Sequence, residues 1–456
     1  MTTRKLFGTD GVRGEANSDL TVDLALKLGI AAGVYFHENS PHDHRPVIYI
    51  ARDTRLSGEM IEAALSAGIA SMGVDVCSVG VAPTAAISRI VLNRQGVAGI
   101  VISASHNPFE DNGIKFFGPD GRKLPDAVEA EISALYPNWD KLNRALPTSI
   151  GRYHTDTERL TEYIQAIKKP FLSGSHLPLN GLRLVMDCAN GAAHTIAPAI
   201  FTELGAEVDL LHASPNGINI NLRCGSTHPQ EMAACTAAVG ANAGLAFDGD
   251  ADRVILADEH GNIVDGDRIM YILATSMAQN SELNHEVVIA TIMSNAGLEE
   301  ALARHGIRLH RTDVGDRYVA EAMDSTEASI GGEQSGHILL PHLTPTGDGL
   351  LTALYLLCYM NKTGRSLSDL AAPVHSYPQI LKNIRIKNRD GWKEDPDILN
   401  VIEQVRSSFK NPQWLSVRPS GTEPLLRIMA QGEDQDQVDN AIKLISEIIQ
   451  QKLGVA

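Results

Sequence analysis

Ser105 and the acidic run Asp248-Gly-Asp-Ala-Asp-Arg253 are the parts of this chain best suited to chemistry. Ser105, followed by His106, stands where the apolar Gly99-Ile-Val-Ile102 stretch breaks into the polar turn Asn107-Pro-Phe-Glu-Asp-Asn-Gly113, and a serine held at such a break can carry a phosphate. Asp248, Asp250 and Asp252 alternate along a short loop after the apolar Gly244-Leu-Ala-Phe247. Oxygen-only donors at that spacing suit a hard divalent ion such as Mg²⁺. Phosphoryl transfer needs such an ion to offset charge on the migrating group, so the two segments together predict phosphoryl chemistry. Arg253 would add positive charge, and Lys115 follows the serine closely enough to assist proton transfer.

Other readings of the same residues are weaker. Asp-Gly is a hairpin-turn signal, but three neighbouring carboxylates stay ionised most easily around a cation. A calcium loop would use Asp248, Asp250, Asp252 and Glu259, yet Arg253 stands where that loop needs glycine, and Val254-Ile-Leu-Ala257 reads as strand. No Gly-x-Ser-x-Gly elbow supports a serine hydrolase. Two rivals stay open: Asp248 as the acceptor of an aspartyl-phosphate phosphatase, and a sugar-phosphate sensor without catalysis.

Two further loops carry polar groups. Gly331-Gly-Glu-Gln-Ser-Gly-His337 lacks the Lys-Ser/Thr of a nucleotide loop, but Glu333 and Ser335 offer an acceptor and a donor-acceptor of the kind sugar hydroxyls need. Arg418-Pro-Ser-Gly-Thr-Glu-Pro-Leu-Leu-Arg427 offers the guanidinium groups of Arg418 and Arg427, the hydroxyls of Ser420 and Thr422, and a close-approaching amide at Gly421. That combination predicts a phosphate clamp.

These loops must be positioned by regular elements. An apolar strand, a polar turn, a helix ending at glycine and a second strand recur three times, from Pro46 to Cys77, Leu182 to Leu211 and Glu286 to His310. Each copy predicts a β-α-β unit with parallel strands. The segments 145–157 and 258–267 read as irregular connections. After Ala371-Ala-Pro-Val-His-Ser-Tyr-Pro378 the pattern changes to strands at 379–387, around Leu415 and over 426–430, then a helix with Val438, Ile442, Ile445 and Ile449 on one face. The expected fold is α/β: three related α/β domains with mixed sheets (1–150, 151–257, 258–371) plus a smaller α+β C-terminal domain (372–456) around a central cleft.

The chain's 456 residues exceed one ordinary core. Its net charge of -16 argues against nucleic-acid or anionic-membrane partners, while local arginines can still hold a small anion because fields are screened beyond about 8 to 10 Å. Five scattered cysteines with no Cys-x-x-Cys pair predict buried thiols in a reducing compartment. The start, Met1-Thr-Thr-Arg-Lys-Leu, shows no signal-peptide core, and no apolar run reaches the ~20 residues of a bilayer span, so a cytoplasmic location is expected.

Taken with Phe7-Gly-Thr-Asp-Gly-Val-Arg-Gly14, these motifs closely resemble the alpha-D-phosphohexomutase family, in the right order over nearly the whole chain. Within it they resemble the amino-sugar branch, where the mannose and glucose branches tend to carry Asn in place of Gly421. The resemblance implies a phosphorylated Ser105 sharing Mg²⁺ with Asp248, Asp250 and Asp252. It implies that Arg13, His106, Lys115, Arg253 and His337 line the reacting phosphate or handle protons. Glu333 and Ser335 would contact the sugar, and Arg418, Ser420, Gly421, Thr422 and Arg427 the distal phosphate. Ala251 is often Gly in relatives, and the role of the loop around Asp313 stays open. The implied reaction interconverts glucosamine 6-phosphate and glucosamine 1-phosphate through a sugar bisphosphate, supplying amino-sugar nucleotide and cell-wall precursor synthesis. Closure by a hinge near Ala371–Pro378 is expected; the oligomeric state is open, a homodimer being one option.

Overall fold

A computed structural model describes residues 6–8, 10–40, 44–172, 176–387, 391–419 and 425–454. The chain forms two compact units, Met1–Ser276 with Ser335–Ala371 and Met277–Gln334 with Ala372–Ala456.

The first unit holds two mixed sheets. One contains β1 (Val12–Glu15), β2 (Val47–Arg52), β3 (Asp75–Val81), β4 (Ala98–Ile102), β5 (Asp111–Phe117) and β6 (Tyr153–Thr155), in the order β1-β5-β4-β2-β3-β6. Strands β2, β3, β4 and β6 are parallel, whereas β5 runs against β4 and β1. All of Ala98–Ile102 is buried, as expected of an apolar strand covered on both faces. Ile48, Ile50, Ile100 and Ile102 pack with Leu28, Ile61, Leu65 and Ile69 from the helices Val22–Glu38 and Gly58–Ala70.

The second sheet contains β7 (Arg183–Asp187), β8 (Glu207–Leu211), β9 (Ala243–Phe247), β10 (Val254–Ala257) and β11 (Ile263–Val264), ordered β11-β10-β9-β7-β8. Strands β7, β8 and β9 are parallel, β10 runs against β9, and β11 runs against β10. The turn between β9 and β10 carries the acidic run.

The second unit begins with β12 (Val287–Thr291), β13 (Arg308–Thr312) and β14 (Gly331–Gly332), parallel in the order β13-β12-β14. A short strand, β15 (Ile338–Leu339), belongs to the first unit. The second unit resumes with β16 (Gln379–Arg385), β17 (Leu415–Pro419) and β18 (Leu425–Gln431), antiparallel in the order β16-β18-β17. The helices Pro396–Ser408 and Gln435–Leu453 supply Ile398, Ile402, Val438, Ile442, Ile445 and Ile449 to the core against Leu426 and Ile428.

The three expected β-α-β units are present, as β2–β3, β7–β8 and β12–β13. Differences fall at the connections. The segment 145–157 contains β6, whose three exposed side chains carry no apolar signal, and 258–267 contains β11 and the start of the helix Gly266–Gln279. The expected hinge segment, 371–378, begins at the division between the two units, after Ala371, and its Tyr377 is tied within the second unit. Asn295 Oδ1 accepts from Tyr377 N (2.9 Å), and its Nδ2 donates to Tyr377 O (2.9 Å) and Gln379 Oε1 (3.0 Å). All five cysteines are free, Cys77, Cys188 and Cys224 buried and Cys235 and Cys358 partly so. Among the described residues no helix is long and apolar enough to cross a membrane.

Candidate active site

The first unit places Ser105 against the acidic run: Ser105 Oγ donates to Asp248 Oδ2 at 2.5 Å. Ser105 follows β4, and Asp248 follows the parallel β9, so both loops leave the carboxyl ends of buried strands, where α/β sheets bind ligands. The backbone of Ser105 is left-handed, φ 53°, which costs a residue with a Cβ on the order of 1 kcal/mol or more and needs support from its surroundings.

Arg55 supplies that support. Its buried guanidinium donates from Nη2 to Ser105 O and Asn107 O (both 2.9 Å), and from Nη1 to Asp111 O (3.0 Å) and Pro108 O. Nε donates to Asp53 Oδ2 at 2.9 Å, which leaves no guanidinium N–H unused. Asp53 also accepts from Ser103 Oγ (2.6 Å), and Ser103 Oγ in turn accepts from Ser105 N (2.9 Å). From the second sheet's side, Asn221 Nδ2 donates to Ser105 O (2.8 Å) and Asn107 O (3.0 Å). Gly249 is required for the approach of the two loops, since a Cβ there would stand 2.5 Å from Ser105 O.

Ligand atoms of Asp248, Asp250 and Asp252 lie within 4.8 Å of one another, all buried. Asp250 Oδ2 accepts from Thr84 Oγ1 (2.7 Å) and Lys115 Nζ (2.9 Å), and Thr84 N donates to Asp250 O (3.0 Å). Lys115 Nζ also lies 3.7 Å from Asp252 and 3.5 Å from Asp10. Arg253 Nε is 3.8 Å and His337 Nδ1 3.5 Å from Asp252 Oδ1. Arg13 and Lys123 both bond Asp10. Ser105 Oγ stands 3.5 Å from His106 Nδ1, at the limit of a hydrogen bond.

Electrostatics single out the same loop. Burial, with Asp252 and Asp250 alongside, pushes the Asp248 carboxyl well up. Asp252 is held well below the usual range despite burial, by His337 and Lys115. Burial opposes the Lys115 charge, yet Asp10, Asp250 and Asp252 push its amine up. Burial and the charges of Arg253 and Arg13 bring His106 down to about 4, leaving it neutral at neutral pH. Asp250 Oδ1 is buried without a hydrogen-bond partner, and Asp252 Oδ1 has only the longer ion-pair contacts of His337 and Arg253. Such carboxylate oxygens in an all-oxygen cluster fit a hard divalent cation.

The second unit holds Glu333, Arg418 and Arg427. Arg418 and Arg427 are cross-strand partners on β17 and β18. Burial and the adjacent Arg427 lower the Arg418 guanidinium, while Asp313 and Glu333 work the other way. Two like charges opposite one another are unfavourable until an anion joins them. Ser335 is an exposed residue of the first unit. Ser420, Gly421 and Thr422 lie outside the described residues.

Sequence reasoning passed over Asp10, Asp53, Arg55, Thr84, Ser103 and Asn221. For Asp53 and Arg55 a signal existed, because Asp-Thr-Arg directly follows the apolar strand β2 at its carboxyl end.

The chain is similar to known proteins along nearly its whole length. Models of phosphoglucomutase/phosphomannomutase alpha/beta/alpha domains I, II and III match residues 4–143, 161–261 and 265–377, and that of the C-terminal domain matches 381–447. A phosphoglucosamine mutase of Thermoanaerobacter sp. (strain X514) is 47% identical over 99% of this chain and 100% of its own length. A phosphoglucomutase/phosphomannomutase family protein of Burkholderia thailandensis has the same fold, with a TM-score of 0.79 at 21% identity over 100% of both chains. Aspergillus fumigatus N-acetylphosphoglucosamine mutase, solved with GlcNAc-6P and magnesium, gives 0.69 at 16% identity over 98% of this chain and 95% of that one. Fold and site together define an α/β enzyme of phosphoryl transfer. The chain belongs to the phosphoglucomutase/phosphomannomutase family.

Proposed function

We propose that this chain interconverts glucosamine 6-phosphate and glucosamine 1-phosphate. The observation that carries the reading is the Ser105 hydroxyl 2.5 Å from Asp248 in a buried trio of carboxylates, in a chain so similar to proteins named phosphoglucosamine mutase. In the forward half-reaction the O–P bond of phosphorylated Ser105 breaks and a new O–P bond forms at the sugar's free hydroxyl, whose proton ends on the Ser105 oxygen that departs. The bisphosphate then returns its other phosphate to Ser105.

Asp248, Asp250 and Asp252 would hold Mg²⁺, which when bound supplies charge neutralisation for the moving group. Lys115, held by Asp250 and Asp10, keeps a positive charge beside it. Arg13, Arg253, His106 and His337 complete the surroundings of the reacting phosphate. Glu333 and Ser335 are assigned to sugar hydroxyls, and Arg418 and Arg427, with Ser420, Gly421 and Thr422, to the phosphate that is not reacting. This reading keeps the divisions near residues 150, 257 and 371 as domain boundaries, and a cytoplasmic location.

Turnover of glucosamine, glucose and mannose 6-phosphates, compared in a coupled assay, tests the substrate, and preference for either neutral sugar would overturn it. Mass spectrometry of the isolated protein tests the carrier. Phosphate on Ser105 is expected; acid-labile phosphate on Asp248 would point to a phosphatase instead. Ser105→Ala should remove turnover without unfolding the chain, and a tenth of the activity remaining would exclude the carrier role.

A further inference from the structure

A second cluster of metal-ligating side chains lies in the first unit, built from other residues than the acidic run. Ligand atoms of Asp187, His212 and Cys224 fall within 4.8 Å of one another. They come from three places: the last residue of β7, the residue after β8, and the loop that precedes the helix Gln230–Val239. Asp187 and Cys224 are 0% exposed, which makes the site a built interior feature.

The histidine is oriented as a ligand. Its Nδ1 is buried and 3.1 Å from Asp187 Oδ2. An oxygen and a nitrogen bound to one small ion at about 2.0 to 2.1 Å in a tetrahedron stand at a similar separation. Its other ring nitrogen, Nε2, faces Glu231 Oε2 at 3.5 Å. A carboxylate behind the distal nitrogen of a ligating histidine fixes the tautomer that leaves the inner nitrogen's lone pair toward the ion. Asp187 is likewise fixed, its Oδ1 accepting from Ala189 N and its Oδ2 from Gly225 N, both at 2.8 Å. Each oxygen keeps a lone pair.

We propose that Asp187, His212 and Cys224 form a second metal site, three-liganded with an open fourth position, for a borderline divalent ion such as Zn²⁺. A carboxylate, an imidazole and a thiolate together select such an ion over Mg²⁺, which prefers oxygen alone. Burial, with Asp187 and Glu231 nearby, pushes the Cys224 thiol up to about 12, so the thiolate forms when the ion arrives and its proton leaves to solvent. The ion would tie together the loops that carry Asn190 and Asn221, and Asn221 donates to the Ser105 carbonyl. The ion therefore braces the loop behind the phosphoserine turn, with water in the fourth position.

The test uses Co²⁺ as a spectroscopic substitute, added to chelator-stripped full-length protein with Mg²⁺ in excess. One equivalent of Co²⁺ should give a thiolate-to-cobalt charge-transfer band in the near ultraviolet. Zn²⁺ should displace it, and Asp248→Asn should leave it unchanged. Cys224→Ser should abolish the band and His212→Gln should weaken Co²⁺ binding at least tenfold, with circular dichroism confirming the fold. His212 is partly exposed, so its variant tests the site even where the cysteine variant fails to fold. Stoichiometric Co²⁺ without a thiolate band, binding lost with Asp248→Asn, or unchanged binding in His212→Gln would each overturn the proposal.

Discussion

Arg55 Nη2 donates to the carbonyl of Ser105 at 2.9 Å, and the same guanidinium reaches the carbonyls of Asn107, Pro108 and Asp111. One planar fork thus shapes a whole loop, a task for which a lysine ammonium has neither the donors nor the geometry. Arg55→Lys keeps the charge beside Asp53 but abandons most of these carbonyls. We expect kcat to fall about 100-fold, since misplacement of the reacting group by about 1 Å costs that much. KM should change little. Steady-state kinetics on glucosamine 6-phosphate would show the split, and an equal effect on both constants would count against a positioning role.

Thr84 holds Asp250 by side chain and backbone alike, at 2.7 and 3.0 Å. Thr84→Val keeps the shape and removes the hydroxyl. Loss of an outer partner of a metal ligand typically weakens the ion about 10- to 100-fold. Titration of activity with Mg²⁺ should show that shift at unchanged maximal rate, and an unaltered Mg²⁺ dependence would contradict it.

Gly249 meets the Ser105 carbonyl, where a Cβ would stand 2.5 Å away. Because the obstacle is backbone, Gly249→Ala must separate the two loops. Activity should drop at least tenfold while every proposed metal ligand stays in place, an outcome read from turnover together with Mg²⁺ binding by calorimetry. Full activity would mean that the two loops need not touch.

Asp348 caps the helix Gly349–Thr363 through Leu351 N and accepts from the Tyr163 hydroxyl. Burial nonetheless raises its carboxyl from 3.8 to about 6. The folded chain therefore keeps this proton longer than the unfolded chain does. Stability from this group is highest below the unfolded value, falls as pH rises toward about 6, and is level above it. The loss is on the order of 3 kcal/mol at most. Urea unfolding of Asp348→Asn and the parent at about pH 4 and pH 7 should show the variant gaining relative stability at the higher pH. A difference independent of pH would refute the assignment.

Arg418 and Arg427 face each other across β17 and β18. Arg418→Gln should raise the KM for sugar phosphate at least tenfold while leaving the unliganded protein as stable or slightly more so, because a repulsion is removed. Kinetics and thermal unfolding together read both effects. Unchanged affinity would place the clamp elsewhere.

The parts legible in the sequence were those with local signatures. Alternation and apolar runs marked the β-α-β units, and the spacing of Val438, Ile442, Ile445 and Ile449 marked the buried face of the last helix. Ser105 and the three aspartates stood out because each loop ends an apolar strand. The residues that hold them did not, since Arg55, Asn221 and Thr84 find their partners 50, 116 and 166 positions away. Edge strands such as β6, with every side chain exposed, carry too little burial to leave a pattern.

Asn295 exchanges reciprocal bonds with the backbone of Tyr377, and Ala296 N donates to Gln431 Oε1 on β18. The strap ahead of the C-terminal sheet is thereby bolted to the segment that follows β12, as one strand is bolted to the next. Bending at Tyr377 would have to rupture these bonds, so the end of the strap is fixed to the β12–β13 layer rather than loose.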